Sequence, residues 1–190
     1  MPFTSVLGAS SVIKPGVCTS STRPTAPYVG QLVFETDTNR VAAFTASGWV
    51  YQTNQGWQSW TPTYAGFTLG NGSVTARYLE VGQLGRAYIS ITLGSTSSFS
   101  AVTAFTISNP STMAFAGVGV TTPIGQAEFR DTGTNSYSGI IGYANTTTVQ
   151  PRHYSVSGSL ISEANSVTST SPFTWTTGDI FWGIWTYHKA

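Results

Sequence analysis

The sequence predicts an all-β protein: an antiparallel β-sandwich of the jelly-roll kind, preceded by a small three-strand meander and an extended N-terminal arm. Three observations carry this. Only 8% of the residues are charged, against a usual quarter, while aromatics reach 13% and glycines number 20. A disordered chain would show the reverse balance, with few aromatics and many charges. Second, apolar residues alternate with polar ones. Across Arg86–Leu93, Ala87, Ile89, Ile91 and Leu93 fall on one face and Arg86, Tyr88, Ser90 and Thr92 on the other, as a half-buried strand requires. Third, no segment rich in Ala, Leu, Glu and Lys repeats at helical period.

Residues 1–27 are rich in Ser, Thr and Pro. Pro15, Pro24 and Pro27 favour extended backbone and forbid a helix, so an arm ordered by a partner is expected, with Val12 and Ile13 apolar enough to dock. Residues 28–53 read as the meander: strands at Leu32–Glu35, Arg40–Thr45 and Trp49–Tyr51, with turns at Thr36–Asn39 and Ala46–Gly48. So small a sheet buries little on its own, which predicts oligomerisation or docking through Phe34, Phe44 and Trp49. Residues 54–59 form a polar linker carrying Trp57, and residues 60–190 are the sandwich.

Within the sandwich, Val74–Glu80 and Arg86–Leu93 form a hairpin, and Gly70-Asn71-Gly72 fits a tight reversal ahead of it. Further strands are expected at Val102–Ser108, Ile124–Asp131 and Tyr137–Tyr143. In residues 144–172 the candidate buried positions are Val149, Tyr154, Val156, Leu160 and Ile161. The last run, Asp179–Tyr187, is apolar on both faces: Ile180, Trp182 and Ile184 point one way, Phe181, Trp185 and Tyr187 the other. Such a strand is either central in the sandwich or covered by another chain, which makes Trp182 and Trp185 candidate assembly contacts.

A net charge of +1 with scattered Lys and Arg gives no footprint for nucleic acid. No apolar run approaches the roughly 20 residues that span a bilayer. The first sixteen residues show no basic stretch followed by an apolar one, so no secretory signal is expected. The single cysteine, Cys18, excludes an intrachain disulfide and reads as a buried or partner-covered small residue. No metal or cofactor is expected. His153 and His188 have no second ligand at metal spacing and read as surface or loop residues. Glu128 and Asp131 read as partners of Arg130 or Arg152, or as solvated groups, because glycoside hydrolysis needs two carboxyls facing each other across a bond. No G-x-S-x-G, P-loop or Rossmann fingerprint occurs. Asp37-Thr38-Asn39 reads as an Asx-type turn rather than a Ca²⁺ loop. Trp57 and Trp60 suit either stacking on a sugar or packing between the meander and the sandwich, and packing is favoured.

Three stretches carry a family resemblance. The opening Trp60-Thr61-Pro62-Thr63, the following Thr68-Leu69-Gly70-Asn71-Gly72, and the closing Ser171-Pro172-Phe173-Thr174-Trp175 with Thr177-Gly178-Asp179 resemble the C-terminal β-sandwich domain of tailed-phage fibre and minor tail proteins. Upstream, Thr22-Arg23-Pro24, Gly30-Gln31-Leu32-Val33-Phe34-Glu35-Thr36-Asp37-Thr38-Asn39 and Ser47-Gly48-Trp49-Val50 look like a segment that often precedes it. The resemblance implies a non-enzymatic virion surface protein, made in a bacterial cytoplasm and assembled as a homotrimer with other virion proteins. Its sandwich would attach to a host-surface glycan or protein through loops 94–100, 132–136 and 144–153, because recognition concentrates in loops on a rigid scaffold. With Trp57 and Trp60, the expected contacts are Asn135, Tyr137, Asn145, Arg152 and His153. A capsid decoration protein that grips the major capsid lattice through its N-terminal arm is the alternative, and a small glycan-active hydrolase the third.

Overall fold

The structure is a computed structural model that describes residues 15–52, 56–114, 119, 121–157 and 160–190, the backbone alone for 156–164. Val12, Ile13 and the side chains of Val156, Leu160 and Ile161 lie outside the described residues. The described residues form strands, turns and bends and no helix. The chain is all-β and divides into two compact units, Met1–Asn54 and Gln55–Ala190.

In the first unit, β1 (Gly16–Cys18), β2 (Leu32–Glu35), β3 (Arg40–Thr45) and β4 (Gly48–Tyr51) form a four-stranded sheet in that order. Strands β2 to β4 are the antiparallel meander the sequence suggests. Its first turn closes on Asn39, whose φ of 54° is one that asparagine tolerates better than most residues. Strand β1 adds a parallel pairing, Val17 opposite Phe34. Residues 15–27, expected as part of an extended arm, are therefore held on this unit. The Ser20 backbone N–H donates to Asp37 Oδ1 at 2.9 Å, and Arg23 pairs with Glu35.

Alternation gives the small sheet two unlike faces. Val33, Glu35 and Ala42 are buried on one. Registers Val17–Phe34–Val41 and Leu32–Ala43–Val50 place six apolar residues together on the opposite face, where Val17 is 63%, Leu32 40% and Val50 41% exposed.

The second unit contains β5 (Gln58–Ser59), β6 (Tyr64–Ala65), β7 (Phe67–Thr68), β8 (Ser73–Val81), β9 (Leu84–Thr92), β10 (Ser98–Phe99), β11 (Thr106–Ser108), β12 (Pro123–Asp131), β13 (Asn135–Asn145), β14 (Thr148–Ser157), β15 (Leu160–Ser166) and β16 (Ile180–His188). Ten of these make one curled antiparallel sheet in the order β5-β8-β9-β16-β12-β13-β14-β11-β6, with β15 also paired to β14. Strands β7 and β10 form a separate pair. The hairpin β8–β9 turns at Gly82-Gln83, and Ala87, Ile89, Ile91 and Leu93 are all buried, as their alternation requires.

Strand β16 lies between β9 and β12, so it is central in its own sheet. Phe181, Trp185 and Tyr187 point into the core at 1% exposure or less. Trp185, expected as an assembly contact, is thus corrected to a core residue. Aromatic rings bridge the sheet to the strands that close over it: Phe105 lies 5.3 Å from Phe67 and 5.4 Å from Phe181. Where strands run closest, glycine is required. A Cβ on Gly139 would stand 2.1 Å from the Arg152 carbonyl oxygen and 2.7 Å from the Phe129 ring.

Two elements depart from expectation. The strand foreseen at Val102–Ser108 shrinks to β11, because Ser100 Oγ accepts the N–H groups of Val102 and Thr103 in a local turn and leaves Val102 92% exposed. The loop foreseen at 144–153 is instead the β13–β14 hairpin. Its turn is made by Asn145 Oδ1, which accepts from the N–H groups of Thr147 and Thr148, each at 2.9 Å.

Candidate functional site

The expected loop contacts do not converge. Loop 132–136 sits at the end of the sandwich held by Asp179, whose Oδ1 accepts the Thr132 N–H at 3.0 Å, and whose carbonyl accepts Leu93 N–H just before loop 94–100. The Asn145 turn lies at the other end, where Asn109 N–H donates to the Thr147 carbonyl. Strand β13 separates Asn135 from Asn145 by its full eleven residues, about 33 Å. Asn135 is exposed; Tyr137 is half-buried, stacked on Phe173 at 5.3 Å; Trp60 is half-buried, edge-on to Trp185 at 6.0 Å and to Tyr78 at 6.4 Å.

His153 is corrected from a surface residue to a buried one, 5% exposed. Its position on β14 opposite Gly139 turns it inward, edge-on to Phe129 at 6.3 Å, with Nε2 2.6 Å from Ser171 Oγ and Nδ1 3.2 Å from the Tyr154 carbonyl. Burial pushes its pKa below the ordinary value; the Tyr154 carbonyl opposes the shift and the Arg152 charge adds to it. A folded-state pKa below the unfolded one means that acid favours the unfolded chain. Stability is therefore expected to fall as pH drops from 7.5 through about 6.5, the ordinary histidine value. His153→Gln should flatten that part of a denaturation-midpoint profile, and an unchanged slope in the variant would exclude His153 as its source.

The same alternation that hides His153 turns its neighbours outward. Tyr154, expected as buried, is 39% exposed. The outer face is best followed across the strands, since cross-strand partners share a face. One register row runs Arg77, Tyr88, Ile184, Gln126, Ile140, Arg152. The next runs Thr75, Ser90, Trp182, Glu128, Ser138. Tyr88 and Trp182 meet edge-on at 6.0 Å and are each half-buried.

An open depression of about 410 Å³ is lined by Trp57, Thr75, Arg77, Tyr88 and Ile184. Beside Trp182 lie two more, about 260 Å³ with Arg130 and Ile180, and about 520 Å³ with Gln126 and Tyr154; Glu128 lines both. Trp57, 46% exposed, thus joins Trp182 and Arg152 on one face, while Tyr88, Arg77, Ile184 and Gln126 join them unforeseen. Alternation within β9 shows that Tyr88 points outward, but neither that Trp182 does nor that their strands are neighbours.

Glu80 carries the other cluster of polar contacts. Its carboxylate accepts from Ser111 and from Tyr187 Oη at 2.9 Å and pairs with Lys189 Nζ at 2.8 Å. Burial resists its ionisation, yet Lys189, Ser111 and Tyr187 together hold its pKa below the ordinary carboxylate value. With its donors supplied by the chain itself, from Tyr187 on β16, Lys189 just after it and Ser111 after β11, Glu80 is a structural clamp. Among the described residues, no three His, Cys, Asp or Glu side chains gather into a set that could hold a metal ion. Phe44 and Trp49, half-buried in the first unit, pack edge-on at 5.3 Å, and Phe34 lies on its apolar face.

Comparison of the chain with protein-family models, curated proteins and solved structures finds no match.

Proposed function

We propose that this chain is a non-enzymatic surface protein of a tailed-phage virion, a tail fibre or minor tail protein. It self-associates through its first unit and presents the outer face of its sandwich to the host surface. The observation that carries this is the outer face itself: Tyr88, Trp182, Ile184 and Trp57 line open depressions on a rigid sheet, ringed by hydrogen-bonding side chains. Binding faces combine aromatic area with a few placed polar groups in this way. The resemblance of Trp60–Gly72 and Gly30–Asn39 to phage fibre segments supports the virion setting. A binding rather than hydrolytic role is supported by Glu128, whose cross-strand partners are Trp182 and Ser138 rather than a second carboxylate.

The apolar face of the first unit supports assembly, with the trimer suggested by the resemblance as its form. An exposed patch of this kind marks an interaction surface. Leu32→Lys with Val50→Lys is expected to reduce the solution mass toward that of the single chain by light scattering. An unchanged oligomer would place the interface elsewhere. Labelled-antibody electron microscopy of intact virions tests the function: label at the tail tip or fibres is expected, whereas label spread over the head would make the chain a capsid decoration protein.

A further inference from the structure

We propose that the outer face of the large sheet binds an acidic polysaccharide, its sugar rings lying on Tyr88 and Trp182 and its carboxylates held by arginines. This rests on the attachment function above and specifies the ligand class. The charge distribution points to it. Residues 55–190 hold four arginines, Arg77, Arg86, Arg130 and Arg152, and one lysine, Lys189. Lys189 is committed to Glu80. All four arginines occupy outward register positions: Arg77 opposite Tyr88, Arg86 opposite Thr186, Arg130 opposite Ile180, Arg152 opposite Ile140. Arg77, Arg86 and Arg130 are exposed and Arg152 is half-exposed. Among the described residues, the carboxylate in the two central rows is Glu128.

Spacing favours a polymer. The row from Arg77 on β8 to Arg152 on β14 crosses five strand intervals, roughly 24 Å, with Tyr88 and Ile184 between its charged ends. A guanidinium grips a carboxylate with two parallel hydrogen bonds and gives up its hydration more readily than an ammonium. The aromatic rings offer the apolar area on which the C–H face of a pyranose can lie. Cations this sparse suit a chain with an acidic group every few residues. A polynucleotide, charged at every residue, is less well matched: five cations face five carboxylates over residues 55–190, and Glu128 stands mid-face beside Trp182. Two-fold packing on a second copy would oppose arginine to arginine, which disfavours self-association here.

The test uses the full-length protein and measures tryptophan fluorescence during titration with two polyuronates, alginate and hyaluronate, with neutral dextran, and with oligo-dT. Wild type is expected to bind at least one polyuronate about tenfold or more tightly than dextran, weakening as salt rises. Arg77→Gln with Arg130→Gln, both exposed and so compatible with folding, should lose about tenfold in polyuronate binding and leave the unfolding midpoint in place. Trp182→Ala should weaken polyuronate binding as well. Equal binding to dextran, tighter binding to oligo-dT, or no binding to either polyuronate would each overturn the proposal. Adsorption of the wild-type protein to host cells, run in parallel, separates the two ideas. Adsorption without polyuronate binding overturns the acidic ligand alone, whereas absence of both overturns the attachment function too.

Discussion

Trp185→Ala is expected to lower the unfolding free energy by about 3–5 kcal/mol, the range for deleting a large aromatic from a packed core. Trp185 is 1% exposed in the middle of β16, the strand that joins the two halves of the large sheet. Its indole stacks edge-on against Trp60 at 6.0 Å, and its Nε1–H donates to Asn109 Oδ1 at 2.7 Å. Asn109 is itself buried, with its amide nitrogen committed to the Ser111 carbonyl. Truncation therefore opens a cavity and strands a buried acceptor at once. Trp185→Phe separates the two effects: it keeps most of the ring contact and removes the donor, so about 1–3 kcal/mol of the loss should remain. Denaturant unfolding followed by circular dichroism measures both. A Trp185→Ala protein within 1 kcal/mol of wild type but altered in oligomeric mass would return Trp185 to an interface role.

That tryptophan also shows where sequence stops informing. Trp182 and Trp185 are three apart, an odd spacing that must split them between the faces of a strand. One therefore belongs to the core and the other to the surface, and alternation alone could not say which. The choice depends on the register of β16 against β9 and β12, set by contacts distant in sequence. A slip of one residue would exchange the two. His153 and Tyr154 follow the same rule: the pairing of His153 with Gly139 turns the histidine inward and leaves its neighbour outside. Local alternation in β9 and the turn residues at Thr36–Asn39 were legible because strand and turn there are decided within ten residues. The outer face draws on six strands, β8, β9, β16, β12, β13 and β14, whose order does not follow the chain. The pairing of β1 with β2 was hidden because Gly16–Cys18 has no alternation of its own; Ser20 and Arg23, bonded to Asp37 and Glu35, hold it there.

Those bonds make the first unit sensitive to one carboxylate. Glu35→Ala is expected to destabilise Met1–Asn54 by about 3 kcal/mol, the lower end of the cost of breaking a buried ion pair, because Arg23 keeps 27% of its side-chain surface in water. Glu35 is fully buried and accepts from Tyr51 Oη at 2.9 Å and Thr38 Oγ1 at 3.0 Å besides pairing with Arg23. Arg23 in turn donates to Tyr51 Oη, and Arg40 lies over the Tyr51 ring at 4.7 Å. The hydrogen bond from Arg23 lowers the Glu35 pKa against the penalty of burial, with Tyr51 and Thr38 helping. A folded-state pKa below the unfolded one makes this stabilisation complete above about pH 4.3, the ordinary glutamate value, and lost as pH falls through the lowered value. Hydrogen exchange of the full-length protein is the measurement. In Glu35→Ala, the amides of β2 and β3 should exchange much faster at pH 7 while those of β9 and β16, which belong to the other compact unit, stay protected. Wild type should show the same selective loss only in acid. Equal protection of β2 in variant and wild type at pH 7 would mean that strand pairing and apolar burial, rather than the Arg23–Glu35–Tyr51 cluster, hold this unit closed.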